Sequence, residues 1–160
     1  MQLLIAAVGK LKQGPERDLA LHYTKRIDAA GSGVALGPVT VMELAESRAA
    51  TVDLRKADEA GRLLTSAGKA ETLFVLDEAG KPVSSRQFSD ALGKLRDDGC
   101  ARAAFLIGGP DGHGSALRQK ASRVVSFGPM TLPHGLARII LLEQIYRAVT
   151  LLSGHPYHRD

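Results

Sequence analysis

Three segments of the chain carry residue types that can bind or react, and each adjoins an apolar run. The first is Gly108-Gly109-Pro110-Asp111-Gly112-His113-Gly114, directly after Ala103-Ala104-Phe105-Leu106-Ile107. Adjacent glycines at the end of a buried strand let a ligand or another stretch of backbone approach closely. The alternative is a plain tight turn from strand to helix. The second segment, Phe127-Gly128-Pro129-Met130-Thr131-Leu132-Pro133-His134, is mostly apolar yet broken by one Gly and two Pro. Loops are normally polar, so an apolar, Pro-stiffened one reads as a rigid pocket wall for a flat aromatic ligand such as adenine. The third is the ending His155-Pro156-Tyr157-His158-Arg159-Asp160. It is rich in groups that stack on bases and bind phosphate; a frayed terminus is the alternative.

Other chemistries lack their residues. No G-x-G-x-x-G occupies the first strand-to-helix turn, and no Gly-Lys-Ser/Thr closes the Gly-rich segment, so dinucleotide and P-loop readings fail. G-x-S-x-G and H-E-x-x-H are both missing, which leaves hydrolase chemistry unsupported. His155 and His158 have no Cys pair or third clustered ligand beside them, so no metal is expected. Cys100 is the single cysteine, as expected in a reducing, cytoplasmic setting. Met1-Gln2-Leu3-Leu4-Ile5 reads as a first strand rather than a targeting segment. No apolar run approaches membrane-span length. Net charge is −1 over residues 1–80, +4 over 81–123 and +1 over 124–160. The positive excess thus lies in the second half and suits a polyanion, though a solvated mixed-charge surface reads the same way.

The elements that must position these segments alternate. Leu3–Val8, Val39–Met42, Leu73–Leu76, Ala103–Ile107 and Arg123–Ser126 read as strands. Helices are expected from Pro15 to the Gly31-Ser32-Gly33 stop, from a Ser47 cap to Ala67, from a Ser84 or Ser85 cap to about Gly99, and from about Gly135 to Ser153. Leu19, His22, Tyr23 and Ile27 give the first helix one apolar-leaning face. The strands are apolar along their length, as burial on both faces requires. The expected fold is therefore α/β, a mostly parallel sheet with helices on both faces, in a single domain over residues 1–160. The final helix is apolar almost all round, from Leu136 and Ile139 to Val149 and Leu152. Such a helix must be covered twice. A second subunit is the favoured cover, and a central core position is the alternative.

Leu106-Ile107-Gly108-Gly109-Pro110-Asp111-Gly112, then Thr131-Leu132-Pro133-His134 with Arg138, then Tyr146-Arg147-Ala148 through His155 to Asp160, together resemble the ribosomal large subunit methyltransferase H family of the SPOUT superfamily. Leu76-Asp77 and Gly80-Lys81-Pro82 fit as well. Each motif is weak alone; their order and spacing carry the resemblance, which spans the chain, although Gly14 to Ala70 adds little. The chain departs at Gly135, where Pro is frequent, and at Gly112-His113.

The resemblance implies a deep C-terminal trefoil knot, against the usual un-knotted rule, and a homodimer packed through the knot. It implies methylation of N3 of a pseudouridine in 23S rRNA on the assembled ribosome, with S-adenosyl-L-methionine as cofactor. Leu76, Gly108 with Gly109, and Phe127, Gly128, Pro129, Met130, Thr131 and Leu132 would bind that cofactor, with Leu76, Met130 and Leu132 sandwiching adenine. The cofactor carries the reactive methyl, so the protein must align the reactants and help remove the N3 proton. His134, Arg138, Tyr157 and His158 are the catalytic candidates, and Arg147, His155 and Arg159 are the RNA-binding ones. Arg138 and Arg147 lie about 180° apart around one helix, so they cannot serve one face. An i,i+4 pair with Glu143 is the alternative for Arg147, and a backbone-bonded helix start is the alternative for His134. Two rival readings are a non-catalytic RNA-binding module and a small-molecule α/β enzyme.

Overall fold

The computed structural model describes residues 1–157. Five strands, β1 (Gln2–Val8), β2 (Val39–Leu44), β3 (Thr72–Pro82), β4 (Arg102–Ile107) and β5 (Arg123–Ser126), form one parallel sheet in the order β2-β1-β4-β3-β5. The helices are α1 (Pro15–Gly31), α2 (Val52–Ala67), α3 (Ser85–Asp97), α4 (Ser115–Lys120) and α5 (His134–Leu152). Strand periodicity divides the core in two. Leu3, Ile5 and Ala7 of β1 pack with Ile27 of α1, Leu92 of α3 and Leu141 and Ile145 of α5. Leu4, Ala6 and Val8 pack with Leu63 of α2 and Leu117 of α4 on the other face. The expected layering, helices on both faces of a parallel sheet, is what the chain adopts.

β1 leads to β2 on one side, while β4 leads past β3 to β5 on the other. Such a reversal opens a crevice beyond the carboxyl ends of the strands.

Three expectations need correction. The second helix starts at Val52 with Thr51 as its cap, whose hydroxyl accepts from Leu54 N–H at 3.2 Å. Ser47 cannot cap there: its own N–H donates to Glu59 at 2.8 Å and its hydroxyl closes a turn onto Ala49. The third strand runs on past Leu76 to Pro82, with a register break against β5. Gly80 permits this, because a Cβ there would lie 2.7 Å from the Val125 carbonyl carbon. Lastly, α5 packs against α1, α3, β1 and β4 of its own chain, which already bury Leu141, Leu142, Ile145, Ala148 and Val149. The close fit to α3 needs Gly93, where a Cβ would meet Leu152 at 2.9 Å. A second subunit is not required to cover these positions. Leu19, expected on the apolar face of α1, is exposed, as is Leu136 at the start of α5.

Candidate functional site

The carboxyl ends of β3, β4 and β5 open into a cavity of about 740 Å³, the size of a small-molecule site. Leu76, Gly108, Gly109, Phe127, Gly128, Met130, Thr131 and Leu132 all line it, and His134 stands at its edge. Pro129 alone of the expected cofactor residues is outside the lining.

The wall from 127 to 132 is built on two residues. Gly128 has φ +117, a conformation that favours glycine, and open space over its Cα. Buried Ser126 fixes it: the Ser126 hydroxyl accepts from Gly128 N–H at 3.1 Å and donates to Gly128 C=O at 2.9 Å. Thr131 reaches across the mouth to Glu78 at 3.4 Å, and Met130 is 77% exposed, an apolar side chain without a partner in the single chain. On the opposite side, the Gly-rich loop is tied to α2 by an Arg55–Asp111 ion pair at 2.6 Å. Charges at the cavity include Asp77, bonded to Arg118 at 3.4 Å, together with Glu78 and Lys56.

The two glycines of that loop serve the protein's own packing. A Cβ on Gly109 would sit 2.9 Å from Glu59 Oε2 and 3.0 Å from Val8. A Cβ on Gly108 would sit 2.9 Å from His113 Cε1 and 3.3 Å from the Gly112 carbonyl carbon. The space over Gly108, read from sequence as room for a ligand, is thus filled by the His113 imidazole. Gly108→Val must push that ring into the cavity. A fall of at least about 100-fold in cofactor affinity is expected, with a lowered melting temperature, because the buried His113 gives up its bonds to Gly108 and Leu76. Unchanged affinity by calorimetry in the folded variant would exclude the cavity as the cofactor site.

His134 opens α5 and rests on Gly9, whose φ is +89; a Cβ at Gly9 would come within 2.4 Å of His134 Nε2. Arg138, one turn on, is 0% exposed. Its Nη1 bonds the Glu43 carboxylate and its Nη2 donates to the Gly9 carbonyl at 2.7 Å, while Glu43 also accepts from Leu11 N–H at 2.9 Å. Burial pulls its pKa down and Glu43 opposes that pull. Arg138 therefore clamps the loop that seats His134. As placed, it is a positioning residue rather than a group that touches substrate. Gly135 fits the same corner, where a Cβ would meet Glu16 and Leu11.

The remaining candidates lie elsewhere. Arg147 pairs with Glu143 at 2.5 Å, the i,i+4 partner, and its guanidinium lies 5.1 Å from the Tyr157 ring centroid. Tyr157 packs edge-on against Tyr146 at 4.8 Å and donates to Glu143 at 3.4 Å. Its pKa is pushed up to about 12, first by burial, then by Tyr23 and Glu143. At neutral pH this phenol keeps its proton, so in this position it is a hydrogen-bond donor and not a base. Exposed His155 accepts from Tyr157 N–H at 3.2 Å through Nδ1. These contacts are nine to thirteen residues along α5 from His134, about 14–20 Å away. The described His155 and Tyr157 therefore stand along α5 and not at the cavity of their own chain. His158 and Arg159 lie outside the described residues.

Sequence reasoning overlooked Gly9, Glu43, Ser126 and His113. Glu43 had a visible signal, a carboxylate within an apolar strand, and His113 lies inside the quoted Gly-rich loop. Nothing local marked Gly9 or Ser126. Among the described residues no cluster of three or more His, Cys, Asp or Glu side chains is placed to hold a metal. None of their helices is long and apolar enough to cross a membrane.

A family model described as "Predicted SPOUT methyltransferase" matches residues 1–158. The chain belongs to the SPOUT methyltransferases. Relatives of this methyltransferase named "Ribosomal RNA large subunit methyltransferase H" are 46% identical in Brucella anthropi and 48% in Methylocella silvestris, each over 100% of both chains. A third, from Rhizobium meliloti, is 49% identical over 99% of both. This SPOUT methyltransferase thus matches those relatives over its whole length, cavity loops and tail included.

Proposed function

We propose that this chain methylates N3 of a pseudouridine in 23S rRNA, on the assembled ribosome, with S-adenosyl-L-methionine as cofactor. The single observation that carries the reading is the cavity at the carboxyl ends of β3, β4 and β5, walled on one side by the apolar loop after β5 and bordered by charged Lys56, Asp77, Glu78 and Arg118, in a chain related end to end to rRNA methyltransferases. The residues present fit the cofactor. Leu76, Met130 and Leu132 would hold adenine, the open space over Gly128 admits it, and the Glu78 carboxylate at the lining suits a cation. When bound, the cofactor supplies an electrophilic methyl on a sulfonium.

The chain's own groups then orient the base and dispose of its proton. Uracil N3–H is weakly acidic, so its loss as the ring nitrogen attacks needs a nearby acceptor. His134 is the described catalytic candidate at the cavity edge, and it is the residue we assign to take that proton. Gly9 and the Arg138–Glu43 clamp fix its position.

The active form in this proposal is a cytoplasmic homodimer with the family's C-terminal knot. Support comes from the separation of Tyr157 and the cavity along α5, from exposed Met130 at the cavity and from exposed Leu136 in the first turn of α5. In this proposal a second copy brings its tail to the first chain's cavity. The deciding experiment is mass spectrometry of 23S rRNA from a deletion strain. Loss of one N3-methylpseudouridine, restored by the wild-type gene and by the purified protein acting on that strain's ribosomes, is expected. An unchanged modification profile would overturn the reading.

A further inference from the structure

His113 fills the fork where β3 and β4 part. The register between those strands ends at Leu76 and Ile107. One residue on, Gly108 N–H donates to His113 Nε2 at 3.1 Å, and the same nitrogen lies 2.9 Å from the Leu76 carbonyl oxygen. The ring is 8% exposed and borders the cavity. An imidazole nitrogen bears either a lone pair or a proton. With the lone pair, Nε2 accepts from Gly108 and leaves the Leu76 carbonyl unclaimed. With a proton, it donates to Leu76 and turns an N–H against the Gly108 N–H. Leu76 and Gly108 are the two strand-end positions assigned to the cofactor.

We propose that His113 is a positioning residue of the cofactor site: neutral with its proton on Nδ1, it holds the Gly108 peptide and leaves the Leu76 carbonyl to the ligand, and protonated, it gives up the first and claims the second, so that the adenosyl group shared by the sulfonium cofactor and the thioether product binds more weakly. The proposal rests on the cofactor reading above. Other charges at the cavity set its strength. Asp77 of β3 favours the imidazolium, and Arg118 of α4 opposes it. Glu78 of β3, Lys56 of α2, Asp111 of the loop and His134 of α5 also border the cavity. Burial is the largest influence and holds the imidazole below its ordinary value of 6.5. The ring is therefore neutral at neutral pH, and its contribution to folding is fully present above 6.5 and lost as pH falls through its folded pKa. Cofactor and proton then weaken each other by one and the same factor.

Calorimetry with S-adenosylmethionine and S-adenosylhomocysteine, from about pH 8 to about pH 5, tests this. Affinity for both ligands should be flat above the folded pKa and fall together below it, toward about tenfold per pH unit. His113→Gln, whose amide does not titrate, should bind the cofactor more weakly than the wild type at pH 8 and lose the pH dependence. In the unaltered protein, NMR of the His113 ring should show a titration below 6.5 that the cofactor moves lower still. That measurement decides the matter if the variant does not fold. The proposal is overturned if only the sulfonium weakens as pH falls, if His113→Gln keeps the wild-type pH profile, or if the cofactor leaves the His113 titration in place. Absence of any cofactor binding to the wild type at pH 8 would instead overturn the cofactor reading and this proposal with it.

Discussion

Removal of residues 155–160 will lower methyl transfer by at least about 10³-fold and leave cofactor affinity within about threefold of the intact chain. The cavity takes its walls from Lys56, residues 76–78, 107–113, Arg118, 125–128, 130–134 and Ala137, none of which the deletion touches. What is lost is a segment suited to stacking on a base and pairing with phosphate. Deletion also removes the Tyr157 contacts with Tyr146, Glu143 and Arg147. Those lie on the surface of α1 and α5, and their loss should cost only about 1 kcal/mol. Because one chain holds Tyr157 far along α5 from its own His134, the tail is expected to serve the partner's cavity. A mixed dimer tests that arrangement. One subunit carries Gly108→Val and the other lacks the tail, so a shared arrangement leaves one intact cavity beside one intact tail and recovers roughly half of the native rate. An inactive mixed dimer would show that each subunit works alone. Full activity of the tail-deleted homodimer would end the tail's part in catalysis.

Arg138→Ala should destabilise the fold by about 3 kcal/mol, and in the fraction that stays folded kcat should fall about 100-fold with little change in cofactor affinity. The guanidinium is fully buried and holds two partners that come from different places in the chain, Glu43 of β2 and the Gly9 carbonyl. Without it a void opens beneath α5, the Gly9 carbonyl loses its donor and the loop after β1 loses its anchor, while the exposed Glu43 carboxylate stays in water. His134, which rests on Gly9, loses its seat in turn. Lysine should not rescue, since one ammonium cannot span both acceptors with the geometry of a planar fork. Glu43→Gln should lower kcat in the same direction, and the double variant should be no worse than Arg138→Ala alone, because both act through one clamp. Urea denaturation gives the stability difference, and single-turnover methylation gives the rate. A folded Arg138→Ala enzyme of native rate would show that the clamp does not position the base.

Much of this protein is set by local sequence. The uninterrupted apolar strands, the glycine stops and the Ser84 cap specify a parallel α/β layering, since each signal acts through near neighbours or through strand and helix periodicity. The cavity wall was legible for a similar reason: an apolar loop with one Gly and two Pro has few conformations and no reason to face water. Tertiary structure decided what residues distant in sequence do to one another. Arg138 and Glu43 are 95 positions apart, and only the packing of α5 against β1 brings the arginine to Glu43 of β2 and turns a candidate catalytic residue into a clamp. The apolar circumference of α5 called for two covers, yet periodicity cannot say whose side chains provide them; α1 and α3 supply much of the second. His113 shows the same limit at short range. Its position in the Gly-rich loop was plain, but its chemistry arises where β3 and β4 diverge, and two backbone groups from separate strands meet one ring nitrogen.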